Sequence, residues 1–295
     1  MHIAFLIHRF FPEHTGGAET YTYNIARALK AMGHAVSILY APVWQRSHRQ
    51  HPYRVEVEDG FYEDMPVRKL HFDWQSAPDR HGYVYLHNPA IENHIIEWVQ
   101  RQAADVVHLT SCIHLTGAAI TGPRKVGKPV VLTLTQYWSI CPRTTLQHPD
   151  GSFCPGRQDG PTCLACLYGT TRPLRLLRWL PASWHPQWRQ WLKAYPRLSA
   201  WNSSLNLISA VERRNDAIPE WLQQVYMISP SRFLADILAQ SGLVAPEHIH
   251  YSPHGHDVQR AAAGAQKIPG AHLRFGFTGN IIPQKGVHLL SLIHI

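Results

Sequence analysis

Apolar and polar positions alternate along the chain in two rhythms. Ile3–Ile7 is an unbroken apolar run of strand length, and from Ala18 onward Tyr21, Ile25, Ala28, Leu29 and Met32 form a helical stripe that stops at Gly33. Between them His8–Gly17 carries Pro12 and the pair Gly16-Gly17 and predicts a loop. Ala35–Tyr40 is a second strand run, followed by Pro42. Strand, helix and strand with short connections make a βαβ unit, which implies a parallel sheet with helices on both faces.

The same rhythm continues. Strands are predicted at Val67–Phe72, Asp105–Leu109, Lys128–Thr135, Gln224–Ile228 and Ile249–Ser252. Helices are predicted at Ala90–Gln102, Val211–Gln224 and Ser231–Ser241, the last ending at Gly242, and Gly117–Gly122 closes a short helix or a loop. Cys141–Cys166 is rich in Pro, Gly and Cys and reads as irregular. Arg172–Trp201 interleaves Trp179, Trp184, Trp188, Trp191 and Trp201 with Arg and Lys. Two readings suit it: an amphipathic membrane-surface segment, or a helical pair packing its indoles onto the domain, with Pro181, Pro186 and Pro196 breaking any long helix.

The fold class this implies is α/β, a Rossmann-like domain on a parallel sheet over residues 1–258, with a cysteine-rich and Trp-rich insertion at 141–201. Residues 259–271 read as an Ala/Gly-rich linker. Leu273–Phe277 and Lys285–Leu290 read as the strand and helix that begin a second such domain over 272–290, truncated there, and 291–295 fit no pattern and read as a non-native tail.

Composition narrows the function classes. The chain of 295 residues is 45% hydrophobic and 16% charged, which excludes a disordered or fibrous protein. The longest stretches without Asp, Glu, Lys or Arg are cut by Thr, Ser, Gln, His, Gly and Pro, so no membrane-spanning helix is expected. The N-terminus reads as a first strand and not as a signal peptide. A net charge of +8 favours acidic partners: phosphorylated small molecules, anionic lipid or nucleic acid.

Five cysteines, an odd number, suggest an intracellular protein. Four of them, Cys141, Cys154, Cys163 and Cys166, crowd one irregular loop. Four thiolates there could hold tetrahedral Zn²⁺ and staple the loop, an iron–sulfur cluster is a second option, and buried free thiols are the plain alternative.

Together the landmarks resemble family 4 glycosyltransferases, retaining enzymes of the GT-B fold, in a bacterial branch with a cysteine-rich loop. Pro12-Glu13-His14-Thr15-Gly16-Gly17-Ala18-Glu19 is similar to the family's Pro…Gly-Gly-x-Glu loop, and Gly33-His34-Ala35-Val36 to its Gly-His-x-Val. Asp105-Val106-Val107-His108 resembles its Asp-Val-Val-His strand. Thr133-Leu134-Thr135-Gln136-Tyr137-Trp138 resembles Thr-Leu-His-Asp-x-Trp, followed by Cys141-Pro142-Arg143. Ser229–Phe233 resembles Ser-x-x-Phe, and Pro253-His254-Gly255-His256-Asp257 resembles Pro-Asn-Gly-Val-Asp. Phe277-Thr278-Gly279-Asn280 with Lys285-Gly286 resembles the opening of the nucleotide-sugar domain.

The resemblance implies transfer of a sugar from a nucleotide-sugar donor to a glycan or lipid-linked acceptor in polysaccharide biosynthesis. It needs no cofactor for transfer, takes place in the cytoplasm or at the inner face of the membrane, and is largely lost in this fragment. It implies donor-side contacts at Gly16, Gly17, Glu19, Gly279, Asn280, Lys285 and Gly286, and chemistry around Thr135 and Gln136, where relatives carry His-Asp. Neither residue can act as a base near neutral pH, so His108 and His114 at the preceding strand become the candidates. Asn280 stands where the family has Arg, which removes one cation from the diphosphate clamp.

The residues support that picture on their own. A Gly-Gly pair between strand and helix lets backbone N–H groups approach a phosphate, and a Lys neutralises charge on a departing diphosphate. The alternative from another class is a zinc-dependent nucleic-acid or interaction module built on the cysteine loop. Dispersed Lys and Arg and the lack of a recognition helix after the cysteines argue against nucleic acid.

Overall fold

A computed structural model describes residues 1–42, 53–156, 162–163, 166–167, 187, 190, 203–255, 276–277, 279, 281 and 285–287. The chain divides into two compact units, Met1–His254 and Gly255–Ile295. The predicted linker 259–271, the Trp-rich segment (apart from residues 187 and 190) and residues 291–295 lie outside the described residues.

The first unit is built on one eight-stranded sheet: β1 (His2–Ile7), β2 (Ala35–Tyr40), β3 (Val55–Tyr62), β4 (Met65–Phe72), β5 (Val106–Leu109), β6 (Val130–Thr133), β7 (Tyr226–Ser229) and β8 (Ile249–Tyr251). Their spatial order is β3-β4-β2-β1-β5-β6-β7-β8. All neighbours are parallel except the β3–β4 hairpin. The α/β, Rossmann-like expectation therefore holds.

Five helices of eight residues or more are described: α1 (Gly17–Ala31), α2 (Pro89–Arg101), α3 (Ala118–Lys125), α4 (Ser203–Leu222) and α5 (Arg232–Gln240). Local chemistry sets their ends. Asn88 caps α2 by accepting from the amides of Ala90 and Ile91, with Pro89 in the first turn. Ser231 caps α5 through the amide of Leu234. Gly33 and Gly242, both at positive φ, follow α1 and α5, where a side chain would be strained.

Strand alternation sorts the core into two layers. Phe5, Ile7, Ile38 and Tyr40 face α1 and pack with Ala26. Leu6, Leu39, Val107, Leu109 and Leu132 face the other way, onto Ile95 and Trp98 of α2, Ile120 of α3, Trp221 of α4 and Leu238 of α5. Each fully buried Leu, Ile or Phe contributes roughly 1.5–3 kcal/mol relative to an exposed one.

Some elements depart from the sequence pattern. β3 escapes the pattern because this edge strand buries neither face and reads Val-Glu-Val-Glu-Asp-Gly-Phe-Tyr. α3 runs past Gly122 to Lys125 with Pro123 inside, and α4 begins eight residues earlier than its apolar stripe. No described helix is long and apolar enough to cross a membrane.

Candidate functional site

Chain order places the site. After β1 the chain fills one side of the sheet with β2, β4 and β3, then crosses to β5 and continues outward on the other side. Connections above β1 and β5 diverge, leaving a crevice at their carboxyl ends where open α/β sheets take ligands. His8 stands there beside Glu19 of α1 and His114 of the segment after β5.

Gly16 and Gly17 form the start of α1. Gly16 is its N-cap in extended backbone, and a Cβ on it would stand 2.5 Å from the Glu19 Oε2. Glu19, 6% exposed, folds back over this turn, with its Oε1 3.7 Å from the His8 Nε2. A Cβ on Gly17 would meet nothing within 4 Å, so open space begins there. The helix start thus offers free amides to a ligand, while Glu19 adds an acceptor suited to hydroxyl groups.

Hydroxyl bonds join α1 to the strands. Thr22 donates to Thr110 (2.7 Å), both fully buried, and the Tyr21 hydroxyl lies 3.3 Å from that of Thr133. The His108 Nε2 stands 2.8 Å from the same Thr133 oxygen, and its ring stacks on Phe5. Burial lowers the His108 pKa to about 4. His108 is a neutral support for Thr133 and does not line the crevice between β5 and β6. The histidine placed there by sequence is therefore behind the wall and not on it.

Thr110, Ser111, Cys112, Thr135, Gln136 and Ser139 do line that crevice. The Thr135 hydroxyl donates to the Thr110 carbonyl (2.6 Å), which leaves its oxygen as an acceptor. The Gln136 Oε1 is buried with no hydrogen-bond partner. An orphaned buried acceptor costs free energy unless a ligand satisfies it.

His114 was a candidate from sequence, and His8 was not. His8 directly follows β1, its Nδ1 is buried without a hydrogen-bond partner, and burial, reinforced by His114, Arg9 and His14, lowers its pKa to about 3. His114 holds a positive φ of 63°, stands 3.3 Å from the Ala41 carbonyl through its Nδ1, and has a pKa lowered by burial to about 4. Both imidazoles are neutral at pH 7. The position of His8 at the end of the first apolar run was the available signal. Tyr21 and His254 were a further pair missed: their rings lie 4.1 Å apart, which brings His254 back beside α1.

The remaining candidates belong elsewhere. Gly279, Lys285 and Gly286 are in the second unit; the two glycines have positive φ (144° and 67°), and Lys285 is exposed. Asn280 lies outside the described residues. Cys141, Cys154, Cys163 and Cys166 all line one cavity after β6, and none of them is in a disulfide.

Among solved structures, the chain is similar to the catalytic domain of starch synthase IV from Arabidopsis thaliana bound to ADP and acarbose (12% identity, TM-score 0.29), over 46% of this chain and 34% of that one. It therefore spans about a third of that domain's length. The α,α-trehalose 6-phosphate synthase of Burkholderia multivorans is 12% identical with a TM-score of 0.28, over 89% of this chain and 74% of that one. The UDP-forming α,α-trehalose-phosphate synthase of Burkholderia xenovorans, in complex with glucose-6-phosphate, is 13% identical with a TM-score of 0.26, over 89% and 76%. Likenesses this distant add nothing about this chain beyond themselves. No curated protein matches. The glycosyl transferase 4-like domain matches residues 16–166, just over half of the sequence, from the Gly-Gly turn to the last cysteine of the loop. The chain belongs to the glycosyl transferase 4-like domain family.

Proposed function

We propose that the first unit is the acceptor side of a retaining glycosyltransferase that moves a sugar from a nucleotide-sugar to a glycan or lipid-linked acceptor. The observation that carries this reading is the crevice at the carboxyl ends of β5 and β6, where the Gln136 Oε1 is buried without a partner beside the Thr135 hydroxyl. Acceptors of this kind, with the Glu19 carboxylate near Gly16, suit the hydroxyls of a carbohydrate.

The free amides at Gly16-Gly17 would meet the diphosphate of the donor. Thr135 and Gln136 orient the ligand and move no proton. No metal or cofactor is assigned to transfer. The net charge of +8 and the Trp- and Arg-rich sequence 172–201 support work on an anionic lipid-linked acceptor at the cytoplasmic face of a membrane.

Saturation-transfer NMR with nucleotide-sugars and oligosaccharides tests this. Binding that disappears in Gln136→Ala or weakens in Gly17→Ala supports the proposal. Absence of transfer to every saccharide and nucleotide-sugar overturns it.

A further inference from the structure

The four cysteines after β6 line a cavity separate from the crevice. Cys141, Cys154 and Cys163 are buried and Cys166 is half-buried, and all four line the same cavity. They reach it from separate pieces of chain. Cys141 follows Ile140 of the main core, Cys154 follows the single bridge between Gln147 and Phe153, and Cys163 and Cys166 sit three residues apart in helical backbone. Side chains at that spacing share one helix face.

Arg143 donates to the Cys166 carbonyl (2.9 Å) and stands 3.9 Å from its sulfur.

Among the described residues no group of three His, Cys, Asp or Glu side chains stands in coordinating geometry. The thiol form accounts for that: Cys154 donates to the Gly156 carbonyl (3.3 Å) and Cys166 to the Gln147 carbonyl (3.9 Å). Deprotonation, which metal binding requires, removes both bonds and frees the sulfurs to turn into the cavity. Four soft thiolates with one neighbouring guanidinium are a donor set for Zn²⁺.

We propose that Cys141, Cys154, Cys163 and Cys166 bind one structural Zn²⁺ that closes the loop following Thr135 and Gln136. The metal would join Cys163 and Cys166 to a loop that is already anchored by Leu146 and Ile140 in the core and by the Cys154 amide on the Leu146 carbonyl. This inference does not depend on the sugar-transfer reading.

The test is elemental analysis of the whole chain, purified and then reloaded with zinc under reducing conditions. One zinc per chain is expected, with loss of the metal in Cys163→Ser and Cys166→Ser. A second measurement needs no variant: alkylation of the native protein, read by mass, should leave all four cysteines protected until a chelator is added, while Cys112, buried in the core, stays protected until unfolding. No bound zinc, zinc retained in both serine variants, alkylation indifferent to chelator, or iron with acid-labile sulfide in its place each overturns the assignment.

Discussion

The Nε2 of His108 and the hydroxyl of Thr133 meet at 2.8 Å beneath the first turn of α1, with the Tyr21 hydroxyl on the same oxygen. The imidazole in this contact is uncharged at pH 7, because burial holds the His108 pKa near 4, against 6.5 for the free side chain. His8 and His114 are held down similarly, to about 3 and about 4.

Between pH 6.5 and 4 the unfolded chain therefore binds protons that the folded chain refuses, and stability falls as pH falls through that window. Each such proton costs about 1.4 kcal/mol per pH unit. Denaturant titrations from pH 7.5 to 4 should show this loss, and His108→Asn should reduce its slope by one proton. A slope that His108→Asn leaves unchanged would contradict the burial of a neutral ring.

The two glycines of the first loop should separate. Gly16→Ala sets a Cβ 2.5 Å from the Glu19 Oε2, which must swing aside, and replaces a good N-cap residue with a poor one, so it should cost about 1 kcal/mol. Gly17→Ala meets open space and should leave stability unchanged or slightly raised, since Ala is the better helix residue. If Gly17→Ala nevertheless weakens nucleotide-sugar binding, the loss comes from crowding the ligand; unchanged affinity would remove the loop from the site.

How much of this was legible from sequence depends on burial. β1, β2 and β5 are apolar on both faces because α1 covers one side and α2 and α3 the other, so their runs announce them within a residue or so. β3 has no buried face, hence no apolar signature, and emerges only through its pairing with β4. Gly16-Gly17 and Thr135-Gln136 were visible as motifs at strand ends. The seating of His108 behind Thr133 was not, because whether a strand residue looks into the crevice or under a helix depends on which face α1 covers, and that is a property of the assembled sheet.

Gly117 offers a sharper packing test. Its backbone is ordinary helical, yet a Cβ would lie 2.4 Å from the Trp221 ring, itself stacked on Trp138 with centroids 6.2 Å apart. Gly117→Ala should destabilise by about 1–3 kcal/mol through overpacking alone, read as a fall in thermal midpoint and altered tryptophan emission. A neutral result would mean the indole pair can shift.

Asp79 ties the turns after β4 to α4. It accepts from Arg213 (2.8 Å), Asn206 (2.9 Å) and the Gly82 amide (3.0 Å). Burial works to raise its pKa, and the Arg213 and Asn206 bonds overcome this and hold it below the usual range. Asp79→Ala removes that acceptor from three donors and should cost about 2–3 kcal/mol. Asp79→Asn should recover part of this, and equal loss in both would show that charge, not hydrogen bonding, is what matters.

The edge strand β3 also has a consequence for behaviour in crowded solution. Among the described residues no strand pairs with its outer side, and Glu56 and Glu58 run along it, with Glu58 beside His71 and Asp59 held by Arg68 and Arg101. A second copy arriving edge-on would bring like carboxylates together as the sheets tried to merge, so this border repels its own kind and keeps the sheet from growing into a fibre.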